Sequence, residues 1–445
     1  MAMKRLLLFW IIGWLLSLPA AQATDVPKAR RGVFALTNAR IVTVTQGVIE
    51  RGTLIIREDR IVAIGTDVAI PPDAEVIDCT GLEIYPGFID SGTHLGLIEV
   101  GSLPETRDYR ELGDLTPQVD ALTAVNPNSV LIPVNRVNGV TTVITEPEGG
   151  LLPGKAALIN LFGYTPEQMH VGGVRLMVLD FPSKGRRGPW DRRKPEDIEK
   201  AFREAMDKLN EVWDRAERYA RIDSAYRANP EKNPKPLYVP EMQALLPVIR
   251  GEMPLMIKVD LAPDILEAIQ WVKKRGLKRV VFSGVAEGWR VADKIAEAGI
   301  PCLVGPVLSL PTRESDRYDK AYANAGLLHA AGVKIAIRTG EAENVRNLPY
   351  HAGFAAAYGL GRETALRAVT INPAEIFGVD DLIGSLEVGK KANLFVTDGD
   401  PFEPKTQVRY VFIDGFLIPM DNRQLRLYQE FLHRQPGLEL HPATH

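Results

Sequence analysis

The apolar and polar positions of this chain change rhythm several times, and the changes mark its elements. After an apolar run near the N-terminus, residues 34–38, 41–44, 53–56 and 60–65 alternate apolar with polar and are separated by turn residues. That period predicts antiparallel strands with one buried face. The rhythm returns at residues 392–396, 408–413 and 416–418, with Asp414-Gly415 as a hairpin turn. Neither group has enough strands to bury a face alone, so the two ends are expected to pair into one small composite β-sandwich. Between them lie apolar runs of strand length at 84–90, 140–145, 156–160, 174–179, 255–259, 279–283, 301–304 and 333–338. These alternate with helical stretches, which predicts an α/β fold of the (β/α)8 TIM-barrel type rather than a doubly wound sheet.

One segment exceeds a minimal barrel. Residues 181–240 are heavily charged, and Ile198, Phe202, Met206, Leu209, Trp213, Ala216 and Tyr219 recur every three or four positions. Pro195-Glu196-Asp197 supplies a first turn with acids at the positive end of the helix dipole. Such a helix either packs its stripe on the barrel wall or acts as a lid, and the basic residues around 186–193 either stay solvated or attract an anionic substrate. Asn372-Pro373-Ala374-Glu375 reads as a further helix start, with Asn372 as cap.

The first residues change the compartment. Lys4 and Arg5 precede an apolar run at 6–18 and the small-x-small site Ala21-Gln22-Ala23. This reads as a secretory signal peptide over 1–23, removed to leave an exported, periplasmic chain with no membrane attachment. The expected divisions are then 24–83 for half of the sandwich and 84–378 for the barrel with its insertion. Residues 379–420 form the other half, and 421–445 a tail. Lysine plus arginine number 53 against 56 acids, so charge offers no argument for nucleic acid. Cys79 and Cys302 permit one disulfide, but the apolar neighbours of Cys302 favour two buried thiols.

The chemistry centres on Tyr85-Pro86-Gly87-Phe88-Ile89-Asp90-Ser91-Gly92-Thr93-His94, a buried strand delivering polar groups at its C-terminal end. The segment resembles the first-strand signature of the amidohydrolase superfamily, where Pro-Gly-hydrophobic-Ile-Asp leads into His-x-His. The stretches from Asn344 to Gly359, Thr370 to Gly378 and Gly384 to Leu394 are similar to the same family, of the imidazolonepropionase-like type. The resemblance implies a metal-dependent hydrolase that activates water against a C–N bond. Its ligands would be His-x-His from strand one, histidines from strands five and six and an aspartate from strand eight, often with a bridging lysine or glutamate from strand four.

This chain departs from that wording at most positions. Strand one keeps His94 but carries Gly92, and strand five has Lys258 in the histidine slot. Strand six, ending in Ser283, has no histidine, strand eight has Gly340 in the aspartate slot, and strand four has no lysine. His94 is thus the one candidate metal ligand. Zinc or another divalent ion is the cofactor the resemblance implies, with its ligand set incomplete. Lys258 would supply charge without a metal and repel a cation, pairing with Asp260, Glu146, Glu148, Glu287 or Glu341. The alternative is a lysine base or nucleophile.

The candidate catalytic residues are His94, Lys258, Asp260 and Glu341, and the candidate substrate-binding residues are Glu146, Glu148, Ser283, Glu287 and Arg338. His170, before strand four, is within reach of the mouth, while His329 and His351 read as surface or packing residues. The acids of 95–108 with Arg107 either line a polar site or belong to a loop held against another chain. Two functions follow. One is an exported hydrolase of non-peptide C–N bonds or small peptide amides with a degenerate metal site. The other is an inactive subunit that binds a ligand or partners an intact amidohydrolase. A small molecule is the expected partner in both, with self-association or a hetero-partner beside it.

Overall fold

The two ends of the chain meet in one sheet. The computed structural model describes residues 28–186 and 191–434; the expected signal peptide, Arg187, His441 and His445 lie outside them. The first end contributes β1 (Val33–Val42), β2 (Val48–Arg57), β3 (Arg60–Gly65), β4 (Glu75–Asp78) and β5 (Glu83–Pro86). The other contributes β14 (Leu394–Thr397), β15 (Val408–Ile413) and β16 (Phe416–Ile418). Their order is β16-β15-β14-β5-β1-β2-β3, with β4 also paired to β1. The rings of Phe34 in β1 and Phe412 in β15 lie 5.3 Å apart although β14 and β5 stand between those strands. A flat sheet would hold them roughly 14 Å apart at its usual strand spacing, so the sheet curls over its own core.

Three local features differ from expectation. The runs at 34–38 and 41–44 are one strand, β1, with register shifts on either side of Ala39. The run at 84–90 divides at Gly87: β5 joins the end sheet and β6 (Phe88–Thr93) opens the barrel. A Cβ at Gly87 would sit 2.1 Å from Thr141 Oγ1, so the chain crosses between sheets where only glycine fits. Asn372 is not a cap. The helix starts at Ile371, and Asn372 Nδ2 instead donates to Ile335 O at 2.9 Å, tying the helix to the barrel.

The barrel sheet runs β6, β7 (Val140–Thr145), β8 (Gly154–Asn160), β9 (His170–Asp180), β10 (Leu255–Val259), β11 (Val280–Gly284), β12 (Cys302–Val304) and β13 (Ile335–Ile337) in spatial order. Gly340 N–H donates to Gly92 O at 3.0 Å where the last strand meets the first. The eight-stranded barrel is therefore present, with one reversal: β8 is antiparallel to both neighbours. The connection 146–153 contains no helix and is shorter than the dozen or so residues a parallel crossover needs.

The helix Pro195–Ala228 buries Ile198, Phe202, Leu209, Trp213 and Ala216. Trp213 meets Trp271 of the helix Ala262–Arg275 edge-on at 4.9 Å. Its stripe packs on the barrel wall, so the lid reading is not what this helix does. Both cysteines are buried free thiols, each pushed upward by burial, Cys79 to about 12. Among the described residues no helix is long and apolar enough to cross a membrane.

Candidate functional site

Strand alternation decides which side chains reach the barrel mouth. Ile144, Val178, Met256, Val281 and Ala336 belong to one interior cluster, one from each of β7, β9, β10, β11 and β13. Side chains two residues further along a strand share its face. Those positions are Glu146, Asp180, Lys258, Ser283 and Arg338. The sheet thus brings together polar residues separated by almost two hundred positions in the chain.

Arg338 is the centre of the group. Its NH2 donates to Glu146 Oε1 at 2.7 Å and its NH1 donates to Ser283 Oγ. Lys258 Nζ lies 3.4 Å from the same Glu146 oxygen, and 3.9 Å from both Glu148 Oε2 and Asp180 Oδ1. His94, directly after β6, places Nδ1 2.9 Å from the carbonyl of Glu146 and Nε2 2.9 Å from Glu148 Oε2. Carbonyl oxygens only accept, so Nδ1 carries a hydrogen. Tyr109 covers the imidazole in a stack with centroids 4.4 Å apart, and Glu148 N–H donates to Tyr109 O at 2.8 Å. Loop 95–120 and loop 146–153 therefore close over His94 together.

The charges adjust to one another. Burial pulls the Lys258 ammonium and the Arg338 guanidinium down, but the acids around them outweigh it, Glu146 foremost, and both end above their ordinary values. Burial likewise works to raise Glu146, and Arg338, Lys258 and His94 reverse it to leave the carboxyl below its usual range. Glu148 is held down at about 2, chiefly by its bond from His94. Asp180 goes the other way, to about 6, because burial and the neighbouring glutamates outweigh Lys258. The group is a salt-bridge network with one acid poised near neutrality.

Beside it lies a cavity of about 500 Å³ at the ends of β10 to β13, floored by Lys258, Asp260, Ser283 and Arg338 and walled by Trp289. Asp260 reaches solvent through this cavity. Its carboxyl is raised, first by the protein packed around it, while the Ala286 N–H acts in the opposite direction.

The sequence profile of the Amidohydrolase family matches residues 264–418. Imidazolonepropionase of Vibrio cholerae serotype O1 is 46% identical over 65 residues, which are 14% of this chain and 16% of that protein. The N-substituted formamide deformylase of Arthrobacter pascens is 27% identical over 185 residues, 36% of this chain and 34% of that enzyme. Each match spans well under two thirds of the relative's length. The crystal structure of an amidohydrolase from Thermotoga maritima superposes with a TM-score of 0.76 at 26% identity, covering 88% of this chain and all of that one. The chain belongs to the amidohydrolase superfamily.

An amidohydrolase of the metal-dependent kind needs several nitrogen and oxygen donors around its ion, and these residues do not fit one. A Cβ at residue 92 would lie 2.8 Å from Arg338 Cζ, so a guanidinium stands beside the position of the first histidine. Gly340, at the aspartate's position, has φ +82° and uses its N–H on Gly92 O. Among the described residues no three His, Cys, Asp or Glu side chains are grouped to hold a metal.

The predicted site residues divide. His94, Glu146, Glu148, Lys258, Ser283 and Arg338 come together, and Asp260 lies beside them. Two acids do not. Glu287 is buried and accepts from Ala262 N at 3.0 Å, Thr312 Oγ1 at 2.9 Å and the Arg313 fork, so it anchors a loop instead of meeting Lys258. Glu341 is exposed and accepts from Asn344 rather than from Lys258. His170 bonds Val174 O at 3.0 Å at the start of β9, the end of that strand opposite the mouth, and Arg107 serves its own loop through Gly101 O at 3.0 Å. Asp180 and Tyr109 were missed. Strand phase marks Asp180 as mouth-facing, whereas nothing local marks Tyr109.

Proposed function

We propose that this amidohydrolase works without a metal and binds a small polar molecule in the cavity at its barrel mouth, two-metal hydrolysis not being its reaction. The observation that carries this reading is the guanidinium of Arg338 packed against Gly92 and paired with Glu146. Coulomb repulsion from Arg338 and Lys258 opposes any cation brought between them. The cavity supplies polar groups of both signs and one aromatic wall, which suits a ligand with hydrogen-bonding groups and an apolar part.

A second reading has its own support. Asp180, held at about 6 beside Lys258, is suited to accept and return a proton near neutral pH, as metal-free cleavage of a C–N bond would need. Export through the N-terminal basic and apolar run remains part of the proposal, as does an assembly with a second copy or an intact amidohydrolase.

Metal analysis of the protein expressed with supplementary zinc tests the main reading, combined with an assay panel of a cyclic amide, an N-formyl amine and an N-acyl amino acid. The expected result is substoichiometric metal and no metal-dependent turnover. A full equivalent of zinc, lost together with hydrolysis in His94→Ala, would overturn it. Hydrolysis that survives a chelator and disappears in Asp180→Asn would favour the second reading.

A further inference from the structure

A second cavity, of about 530 Å³, shares no lining residue with the one at the barrel mouth. It is set between the helix Leu348–Ala355, the turn Ala356–Leu360 and residues 400–404 of the connection from β14 to β15. The helix does not stop at Ala355 but widens into one π-helical turn, with Gly359 at φ +110°. Such turns recur at functional sites. The rings of Tyr350, Phe354, Tyr358 and Phe402 line the cavity. Phe354 and Tyr358 lie parallel within 5° at 6.5 Å between centroids, and Tyr322 of the helix Lys320–Ala330 braces them at 5.3 and 5.2 Å. Phe402 stacks on Phe88 of β6 at 6.2 Å. The rings are thus fixed by packing outside the cavity, while Phe354 keeps 44% exposure.

The charges here do not balance. Arg362 Nε donates to Asp400 at 2.5 Å and its NH2 donates to Tyr85 OH at 3.3 Å, so arginine and aspartate neutralise one another. The exposed carboxylate of Glu403 has no ion-pair or hydrogen-bond partner among the described residues. One negative charge is left beside π faces that themselves attract cations. Arg362 already uses one of them, its Cζ standing 5.8 Å from the Phe402 centroid.

We propose that this cavity binds a small organic cation of the alkylated-ammonium class, drawn by the rings and by Glu403. A primary ammonium is strongly hydrated and would forfeit hydrogen bonds against walls made mostly of carbon. A quaternary ammonium has none to forfeit, and its methyl groups bury apolar area on the rings. The volume is that of a small-molecule site.

The full chain is titrated with choline and, separately, with neohexyl alcohol, which keeps the shape of choline but has carbon in place of the charged nitrogen. Calorimetry and saturation-transfer NMR follow the binding. Choline is expected to bind about 10-fold more tightly than the alcohol. Phe354→Leu keeps an apolar side chain but removes a π face, and Glu403→Gln removes the charge. Each should weaken choline by about 5- to 10-fold and leave the alcohol unaffected. Both positions are exposed and outside the barrel-mouth network. Should Phe354→Leu fail to fold, Tyr358→Leu makes the same comparison. The inference is overturned if choline does not bind, if the alcohol binds as tightly, or if either variant binds choline as the wild type does.

Discussion

A side chain at residue 92 and the guanidinium of Arg338 exclude one another: an added Cβ would stand 2.8 Å from Cζ, 2.9 Å from Nε and 3.0 Å from NH1. Gly92 is not among the residues with left-handed backbone, so alanine suits the conformation and only the space forbids it. The absence of a side chain at 92 and the presence of the arginine at 338 are thus one packing arrangement seen from two strands.

Gly92→Ala should therefore destabilise the protein by about 1–3 kcal/mol through overpacking. In an Arg338→Ala background the same change should cost less than about 0.5 kcal/mol, because the obstacle is gone. Urea unfolding of the four proteins of this double-mutant cycle measures the coupling. Equal costs in both backgrounds would contradict the exclusion.

Arg338→Ala leaves Glu146 buried with Lys258 Nζ, 3.4 Å away, as the nearest cation beside it. Breaking one partner out of a buried ion pair costs about 3–5 kcal/mol, and the lower end is expected here because Lys258 stays. Adding Glu146→Gln should recover more than half of that loss in chemical denaturation, since the uncompensated charge is then removed.

Glu287→Gln should loosen the loop that walls the cavity. The carboxylate accepts from Ala262 N, Thr312 and the Arg313 fork at once, and an amide cannot replace all of these. A cost of about 2 kcal/mol is expected. Amide hydrogen exchange should quicken at Ala262 and across 305–319, with β6 and β7 unchanged. Uniform protection throughout would show that Glu287 does not hold the loop.

His351 gives the fold an acid-sensitive term. Its Nδ1 accepts Val307 N–H at 3.1 Å, and burial pulls the imidazole down to about 4. Between its ordinary value near 6.5 and about 4, the unfolded chain binds a proton that the folded chain refuses. The stability contributed is complete above the upper limit and is lost as pH falls toward the lower one, by about 3 kcal/mol in all. His351→Gln should flatten the acid side of the stability curve relative to wild type over that window. An unchanged slope would mean that the ring protonates in the folded protein.

Much of this architecture was legible in the sequence because it depends on local periods. Apolar runs located β7 and β10, and alternation located β15 and β16, to the residue, since a strand buried on both faces is apolar throughout and one that buries a single face places apolar groups every second position. The Asp414-Gly415 turn was readable because only residues tolerant of positive φ, here 51° and 76°, close so tight a hairpin. The reversal of β8 was less visible: an apolar run has the same wording in either direction, and the short, helix-free connection before it was the one clue.

The sequence by itself determined which groups this protein lacks. With Gly92, Lys258 and Gly340 at the resemblance's ligand positions, no folding can supply imidazoles or a carboxylate there. Only the tertiary structure decided what stands in their place. Arg338 and Gly92 are far apart in the chain and meet because β13 closes against β6. Glu287 and Lys258 looked like partners on neighbouring strands, yet Arg313 from a distant loop claims the acid. Which charges neutralise one another depends on distances of a few ångströms across the barrel mouth, and closure of the barrel, not the order of residues, sets those distances.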